Sequence, residues 1–271
     1  MHFSVKNVIF FFFSRKERIK QYIKMEEKMN ELLVYFSYAN KGNNYEIFKD
    51  LVKKRKVGEA HIRYVLNNLE KEGIKYVTVF DSEYPTLLKN IKYAPYVLYY
   101  KGDLSLVNKD LVTLTGDVSN IHTEKYFNGS IESFINQFSL ITSDFTSFDR
   151  KITQQFRDKN KGIVHVLASG HNYLPKNAPL ENELYISQYP PEVNPKIARF
   201  KERNVIISAL SSNIVIYGAK QASGIIHLAN AFADMNKEVY CYPSLDLEDG
   251  NNFLLKNGAN LITHVADVIG Y

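Results

Sequence analysis

Hydrophobic and polar positions between residues 30 and 72 alternate with a period of three to four, which is typical of amphipathic helices. The pattern predicts three helices, and the run Lys-Gly-Asn-Asn-Tyr at 41–45 is a turn between the first two. The apolar positions of the three helices are Leu32, Leu33, Tyr35, Phe36, Ile47, Phe48, Leu51, Val52, Ile62, Val65, Leu66 and Leu69. We therefore expect a small helical domain over residues 30–75.

From residue 76 onward, short apolar runs bounded by turn residues alternate with helical segments. This alternation predicts an α/β fold with a doubly wound, mostly parallel, Rossmann-like sheet over residues 76–271. The expected strands are 76–80, 97–100, 111–115, 140–141, 163–167, 184–187, 213–217, 239–242 and 261–262. The expected helices lie near 122–136, 147–158, 199–210, 223–235 and 251–257.

The segment 200–259 contains the most informative unit of this pattern. A charged helix start at Arg203-Asn204 precedes a strand, a turn of small residues at 218–224, a helix and a second strand. Strand, glycine-bearing turn, helix and strand together are typical of units that bind nucleotides or phosphate. Ligands of such sheets lie beyond the carboxyl ends of the strands, here at 219–223 and 244–250.

The net charge of +5 is unevenly distributed along the 271 residues. Residues 1–100 carry +7 and residues 101–271 carry −2, so the charge alone is weak support for nucleic-acid binding. We interpret residues 1–29 as a basic N-terminal extension, with Met25 and Met29 as alternative starts. The apolar run Val8 to Phe13 is too short to span a bilayer, and peripheral membrane association is a minor alternative.

The composition also restricts the chemistry. The single cysteine, Cys241, allows no internal disulfide, lies in a predicted buried strand, and is typical of a cytoplasmic protein. The seven histidines lack the spacing of metal ligands, so we expect no metal and no cofactor. No nucleophile elbow, Walker A loop or complete dinucleotide fingerprint is present, and Asp144 with Asp149 is the one conceivable carboxylate pair. We therefore expect a protein that is not an enzyme.

Several short motifs, in a fixed order between about residues 30 and 269, resemble the DNA-processing protein A family, also called Smf. They are Tyr84-Pro85, Pro95 to Tyr99, Lys101-Gly102-Asp103, Gly170-His171-Asn172 with Pro175-Lys176-Asn177, Ile186 to Pro190, Phe200 with Arg203 to Ile207, Ser223-Gly224, and Gly250 with Asn252, Leu254 and Gly258-Ala259. The resemblance implies a Rossmann-like protein that binds single-stranded DNA and helps to load the RecA recombinase. It further implies a homodimer, and a helical domain of the sterile-alpha-motif or helix–hairpin–helix type over residues 30–75. The similarity stops before the C-terminal winged-helix domain that many members carry, and we expect no counterpart of that domain.

The expected anion pocket departs from the family pattern at several positions. The first turn, Gly116-Asp117-Val118, lacks the arginine that the family pattern places there. It contains an aspartate, which repels phosphate, whereas an arginine would bind it. Two glycines are missing from the second turn, 142–149, where side chains would obstruct a ligand. Val205 replaces a second arginine, and Gly218 stands where an acid is expected.

Each remaining candidate has an ordinary structural interpretation. Arg203 and Asn204 suit a phosphate and a base edge, or equally an ion pair and a helix cap. Lys220, Ser223 and Gly224 suit an anion at a helix N-terminus, although Ser223 is also a natural N-cap. Gly116 offers backbone donors. Asn172 and Tyr173 suit base recognition and stacking, or simply a polar loop.

Three hypotheses follow for the function. The first is single-stranded DNA binding in DNA processing, recombination or transformation, in the cytoplasm, with RecA as partner. The second is a degenerate member that acts through protein contacts alone, which Asp117 and the missing glycines favour. The third is a nucleotide hydrolase on a Rossmann-like sheet, for which Pro243-Ser244 with Asp246 is a poor match.

Overall fold

The computed structural model describes residues 15–269, with side chains from residue 27 onward. The apolar run Val8 to Phe13 and most of the predicted basic extension lie outside the described side chains. Within residues 15–269, no helix is both long enough and apolar enough to cross a membrane.

The predicted helical segment consists of α1 (Arg15–Ala39), α2 (Asn44–Val52) and α3 (Glu59–Lys71). The turn predicted at 41–45 is confirmed, and it places Gly42 at a φ of +73°. Asn43 caps α2 by accepting a hydrogen bond from the backbone of Glu46 at 3.1 Å. Apolar side chains of the three helices share one cluster with Val97 and Tyr99 of the sheet, so the helical segment packs on the edge of the α/β core.

The sheet has nine strands in the order β1-β2-β6-β5-β4-β3-β7-β8-β9. Their bounds are Lys75–Thr78, Val97–Gly102, Leu111–Thr115, Ser139–Thr142, Ile163–Val166, Glu183–Ser187, Ile214–Ile216, Val239–Cys241 and Asn260–Leu261 for β1 to β9. β1 and β2 are antiparallel to their neighbours, and the other pairs are parallel. The predicted α/β, doubly wound and mostly parallel sheet is therefore confirmed.

Helices cover both faces of this sheet. The remaining helices are α4 (Thr86–Lys89), α5 (Ile121–Gln137), α6 (Ser147–Asp158), α7 (Ile197–Leu210), α8 (Gly224–Ala233), α9 (Gly250–Lys256) and α10 (Ala266–Ile269). Aromatic and aliphatic side chains of α5 and α6 pack on one face, and those of α7 and α8 pack on the other. Parallel strands covered on both faces are buried along nearly their whole length, as β3 to β6 are, and most of their residues are apolar.

Cys241 lies in β8 and is completely buried, as predicted. Burial raises the pKa of its thiol to about 12. The thiolate is the reactive form of cysteine, so this side chain is an inert part of the core.

One buried polar network lies away from the carboxyl ends of the strands. Glu183 accepts hydrogen bonds from Arg157 Nε at 2.5 Å and Tyr185 Oη at 2.9 Å, and lies 2.8 Å from His165 Nε2. Burial raises the pKa of the Glu183 carboxyl, but these hydrogen bonds outweigh burial and lower the pKa to about 2. The charged carboxylate is thus fully partnered, and the network holds β5, β6 and α6 together.

Candidate nucleic-acid interface

A cleft of about 500 Å³ opens at the carboxyl ends of β3 and β7, which we call the switch-point cleft. From β3 the chain continues to β4 on one side, while β7 lies on the other side of β3 and leads to β8. The two crossovers run in opposite directions and leave a crevice, the usual ligand position of an open α/β sheet. Its lining residues are Thr115, Asp117, Ser143, Phe145, Thr146, Asp149, Ile197, Phe200, Lys201, Arg203, Asn204, Lys220, Ala222, Ser223, Gly224, Ile225, His227 and Leu228.

Two glycines allow the turns beneath the cleft to pack closely. A Cβ at Gly116 would lie 3.1 Å from Phe148 Cδ1, and a Cβ at Gly218 would lie 2.8 Å from Thr123 Cγ2. The backbone of Asp117 donates to the Gly218 carbonyl at 2.8 Å, so the two turns are joined directly. Gly116 itself is buried and does not line the cleft, although the residues on either side of it do.

Arg203 is the buried cation of the cleft, with 8% of its surface exposed. Its Nε donates to Asn204 Oδ1 at 3.2 Å, and its guanidinium carbon lies 5.4 Å from the centre of the Phe200 ring. Burial lowers the pKa of Arg203 to about 10, although the nearby charge of Asp149 raises it. The guanidinium therefore remains charged at neutral pH. Among the described residues, it forms no salt bridge with a carboxylate.

The sequence-based position of Arg203 and Asn204 is wrong in one respect. Both lie in the middle of α7, which begins at Ile197, and not at a helix start. Because Asn204 lies inside the helix, it is not a helix cap. Its side chain instead accepts a hydrogen bond from Arg203. The cleft-facing turn of α7 places Phe200, Arg203 and Asn204 side by side, which is the i, i+3, i+4 spacing of one helical face.

The N-terminus of α8 lines the same cleft as this guanidinium. Ser223 caps the helix, as predicted, by accepting from the backbone of Ile225 at 3.1 Å. A Cβ added to Gly224 would meet no atom within 4 Å, so the first turn of α8 is open toward the cleft. Lys220 is exposed at the rim, and its ammonium has no partner in the described part of the chain. Backbone N–H groups and the helix dipole make such a terminus favourable for an anion.

Asp117 lies in the turn after β3, next to the turn after β7 that carries Lys220. Its Oδ1 accepts a hydrogen bond from the backbone of Lys220 at 2.9 Å. This contact links the β3 turn to the β7 turn, 103 residues apart. The carboxylate thereby occupies a backbone donor that an anionic ligand would otherwise use.

A second carboxylate occupies the donors of the β4–α6 turn. Asp149 is buried and accepts from Thr115 Oγ1 at 2.7 Å and from the backbones of Phe145 and Thr146 at 3.2 and 3.3 Å. Thr146 caps α6 and completes a reciprocal capping box with Asp149. Asp144 adopts a left-handed φ of +50°, a conformation that glycine adopts more readily. Within the described side chains, no cluster of three or more potential metal ligands forms.

The floor beyond β7 depends on Asn251, which the sequence motifs did not single out. Its side chain is fully buried, accepts from the backbone of Ala219 at 2.8 Å, and donates to the carbonyls of Ile216 and Tyr242. Gly250 fits close to this turn, because a Cβ there would lie 2.6 Å from the Ala219 carbonyl. The neighbouring Asn252, which matched the family motif, instead donates to the carbonyls of Ser244 and Asp246.

Several rim residues could not be assigned from the sequence. Lys201 is exposed beside Arg203 and has no partner among the described residues. Phe145 is 64% exposed and meets Phe200 edge to face, with ring centres 5.6 Å apart. The rim therefore combines lysines with an aromatic pair, which is the composition of surfaces that bind single-stranded nucleic acid.

Asn172 and Tyr173 do not line this cleft. They belong to a short 3-10 turn, 171–173, after β5, and the backbone of Asn172 donates to the Pro191 carbonyl at 3.1 Å. Tyr173 is 53% exposed at this separate position. Ser244 donates to Asp249 at 2.6 Å and does not line the cleft, so the Ser244–Asp246 pair considered for a hydrolase is not assembled there.

Comparison with known proteins identifies relatives over most of the chain. DNA processing protein DprA of Bacillus subtilis is 27% identical over 217 residues, which cover 75% of this chain and 73% of that protein. The X-ray structure of DNA processing protein A from Streptococcus pneumoniae matches 83% of this chain and 79% of its own, with a TM-score of 0.67 and 24% identity. DNA processing protein A from Helicobacter pylori matches 72% of this chain and 94% of its own, with a TM-score of 0.62 and 21% identity. The two structures share the fold of this chain.

The family model for DNA recombination-mediator protein A matches residues 75–271, which begin at the first residue of β1. The matched region includes the complete sheet and every residue that lines the switch-point cleft. The chain belongs to the DNA recombination-mediator protein A family.

Proposed function

We propose that this protein binds single-stranded DNA in the switch-point cleft and does not transform it chemically. The observation that carries the proposal is the guanidinium of Arg203, which is buried in the same cleft as the N-terminus of α8 and forms no salt bridge among the described residues. A buried charge without an ion-pair partner is costly, and a bound phosphate would supply that partner. Membership of a DNA-processing family and the single-stranded DNA binding of the Helicobacter pylori protein support the same ligand.

The remaining groups of the cleft fit a nucleic-acid strand. Lys201 and Lys220 at the rim would attract further phosphates, and Phe145 with Phe200 would offer a surface for a base. A base stacked on an aromatic ring contributes about 1–3 kcal/mol. Each neutralised phosphate releases counterions, so binding should weaken steeply as the salt concentration rises.

A salt titration of oligo-dT binding, followed by fluorescence anisotropy, tests this proposal. We expect Arg203→Met to reduce affinity at least about tenfold, because the variant keeps apolar contact with Phe200 but loses a charge-assisted contact of about 1.5–3 kcal/mol. Arg199→Met is the matched control, because Arg199 lies one turn earlier on α7, packs on Tyr189, and does not line the cleft. Absence of binding by the wild-type protein at low salt would refute the proposal.

The contacts of Asp117 and Asp149 favour a second candidate function. Both carboxylates occupy backbone donors of the cleft, as expected of a member that has lost DNA binding and acts through protein contacts. The two proposals predict different results for Arg203→Met. The substitution weakens DNA binding under the first proposal, whereas it does not affect the protein's contacts under the second. Equal contact with a partner protein by Arg203→Met and wild type, without DNA binding by either, would establish the second function.

The resemblance extends the proposal to a homodimer that acts in the cytoplasm with RecA as its partner. A second cleft on the same particle would raise the effective concentration of binding groups along one strand. Analytical ultracentrifugation tests the dimer, and co-sedimentation with RecA tests the partner. A monomer at all concentrations, or no co-sedimentation, would remove the corresponding part of the proposal.

A further inference from the structure

Helix α2 has two apolar faces. Ile47 and Leu51 belong to the cluster that the helical segment shares with the sheet. Tyr45, Phe48 and Val52 occupy positions i, i+3 and i+7 of the same helix, so they form one stripe on its other side, which we call the outer stripe. The three side chains are 67%, 50% and 63% exposed. Scattered exposed apolar residues are ordinary, but three along one short helix form an apolar face without a partner.

The outer stripe leads into a run of cations. Residues 53–56, Lys-Lys-Arg-Lys, follow its last residue directly, and all four are exposed. Both carboxylates of α2 are already paired, Asp50 with Arg55 at 3.0 Å and Glu46 with Lys49 at 2.8 Å. The three lysines of the run form no ion pair among the described residues. Residues 44–56 contain five basic and two acidic residues, so this surface has a net charge of +3.

The turn that carries these lysines has an uncommon backbone. Lys54 adopts a left-handed φ of +50°. The backbone of Lys54 donates to the Leu51 carbonyl at 3.0 Å, and that of Arg55 donates to the Asp50 carbonyl at 3.1 Å, which closes the end of α2. Glycine is the usual residue at this position of a helix terminus, because it adopts a positive φ without steric cost. Lysine is less favourable there, and it adds a cation beside the outer stripe.

A convex apolar stripe next to lysines without ion pairs fits an anionic lipid surface. The apolar side chains of such a helix enter the boundary between headgroups and acyl chains, while neighbouring lysines contact the lipid phosphates. A nucleic-acid strand fits less well, because Val52, the stripe residue nearest the lysines, has no ring on which a base could stack. The same face of a second copy would bring identical lysines to the contact, and like charges repel.

We propose that the outer stripe and the run 53–56 bind peripherally to membranes that contain anionic lipid. Phe48 and Val52 would enter the headgroup boundary, and the lysines of the run would lie against the phosphates. The hydroxyl of Tyr45 would remain among the headgroups, where tyrosine is enriched. The contact lies on the helical segment, whereas the switch-point cleft lies at the carboxyl ends of β3 and β7, so the inference does not depend on the proposed function.

Vesicle co-sedimentation with the full chain tests the inference. The probes are vesicles of phosphatidylcholine alone and vesicles of an equimolar mixture of phosphatidylcholine and phosphatidylglycerol. We expect the wild type to bind the anionic vesicles and not the neutral ones. Binding should weaken as the salt concentration rises, because salt screens the attraction between lysines and lipid phosphates.

Two variants separate the charge from the apolar contact. Lys53→Gln with Lys56→Gln should bind the anionic vesicles at least about fivefold more weakly, since each lysine near an anionic surface contributes to binding. Its matched control is Lys109→Gln with Lys125→Gln, which removes the same charge from exposed positions of the α/β core. The control should bind like the wild type.

Phe48→Ser with Val52→Ser keeps every lysine and removes apolar contact, so it should also bind at least about fivefold more weakly. Tyr64→Ser is the matched control, because Tyr64 is 64% exposed on α3 and lies outside the outer stripe. All substituted side chains are exposed, so the melting temperatures should equal that of the wild type.

Three results would overturn the inference. They are a wild type that does not bind the anionic vesicles, equal binding of neutral and anionic vesicles, and α2 variants that bind like their controls. The last result is expected if the apolar run Val8 to Phe13 alone held the bilayer. Arg203→Met should bind vesicles like the wild type, because it alters the cleft alone. Failure of the proposed function would instead be seen as no binding of oligo-dT, with vesicle binding unchanged.

Discussion

Asp117 provides the sharpest test of the cleft, because its removal should increase affinity. The backbone of Lys220 donates to Asp117 Oδ1 at 2.9 Å in the wild type. The substitution Asp117→Asn removes one negative charge but keeps an oxygen that can accept this hydrogen bond. The link between the β3 and β7 turns should therefore survive. Any gain in binding then reports the charge and not a rearranged turn.

The size of the gain follows from Coulomb's law. A phosphate at the N-terminus of α8 would lie on the order of 6 Å from Asp117, where two unit charges repel by about 3 kcal/mol at an effective dielectric constant of about 20. In bulk water the same repulsion is less than about 1 kcal/mol. Because Asp117 is half-buried, the effect lies between these limits, and we expect the affinity to rise about 3- to 30-fold.

The assay is oligo-dT anisotropy at low salt, with Asp110→Asn as the matched control. Asp110 is exposed and does not line the cleft, so its substitution changes the net charge by the same amount without altering the site. An affinity of Asp117→Asn that equals the wild type, or that rises no more than in Asp110→Asn, would refute the placement of phosphate beside this carboxylate.

Three further predictions concern the turns and the buried network. Gly224→Ala should keep or raise the melting temperature, because no atom lies within 4 Å of the new methyl and alanine is the better helix former by up to about 1 kcal/mol. It should nevertheless weaken oligo-dT binding, and unchanged affinity would contradict an anion at this helix end. Asn251→Ala should reduce the free energy of unfolding in urea by about 2 kcal/mol or more, since the buried Ala219 N–H and the Tyr242 carbonyl lose their partner, whereas Asn252→Ala should cost less. The folded pKa of Glu183, about 2, is below its ordinary value of 4.5, so its contribution to stability is present above about pH 4.5 and is lost as the pH falls toward 2. Glu183→Gln should therefore be less stable than the wild type at pH 7, with a difference that shrinks between pH 4.5 and 2. A constant difference would contradict this linkage.

Most of the sheet could be predicted from the sequence. Parallel strands buried on both faces are short apolar runs between turn residues, and this signal is local. The predicted limits of β3 (111–115) and α6 (147–158) coincide with those of the structure, and α6 is further defined by the capping pair Thr146 and Asp149.

The position of Arg203 and Asn204 within α7 was the error, because the helix itself was predicted at 199–210 and is observed from Ile197 to Leu210. The charged pair stands just before a mostly apolar run and therefore resembled a helix start. The predicted helix already included Phe200, so the spacing that places Phe200 one turn before Arg203 was present in the sequence.

The composition of the cleft depends on contacts distant in the sequence. Asp117 was recognised as an obstacle to phosphate, but its hydrogen bond to Lys220 depends on the pairing of β3 with β7. Asn251 and Asn252 are chemically identical neighbours, and only the helical phase of α9 decides which is buried. Lys201 and Phe145 line the cleft because α7 and the β4–α6 turn meet there, through the contact of Phe145 with Phe200. That contact joins residues distant in the sequence, so neither residue could be assigned to the site from the sequence.

The burial of Cys241 has a practical consequence for all of these measurements. The sequence contains one cysteine, and that thiol is inaccessible and protonated at working pH. A cysteine introduced at an exposed position, such as Tyr64→Cys, would therefore be the only thiol to react with a maleimide dye under native conditions. Fluorophore attachment needs no prior removal of a native residue from the core. Distances between the helical segment and a labelled oligonucleotide thus become measurable by energy transfer on an otherwise unaltered chain.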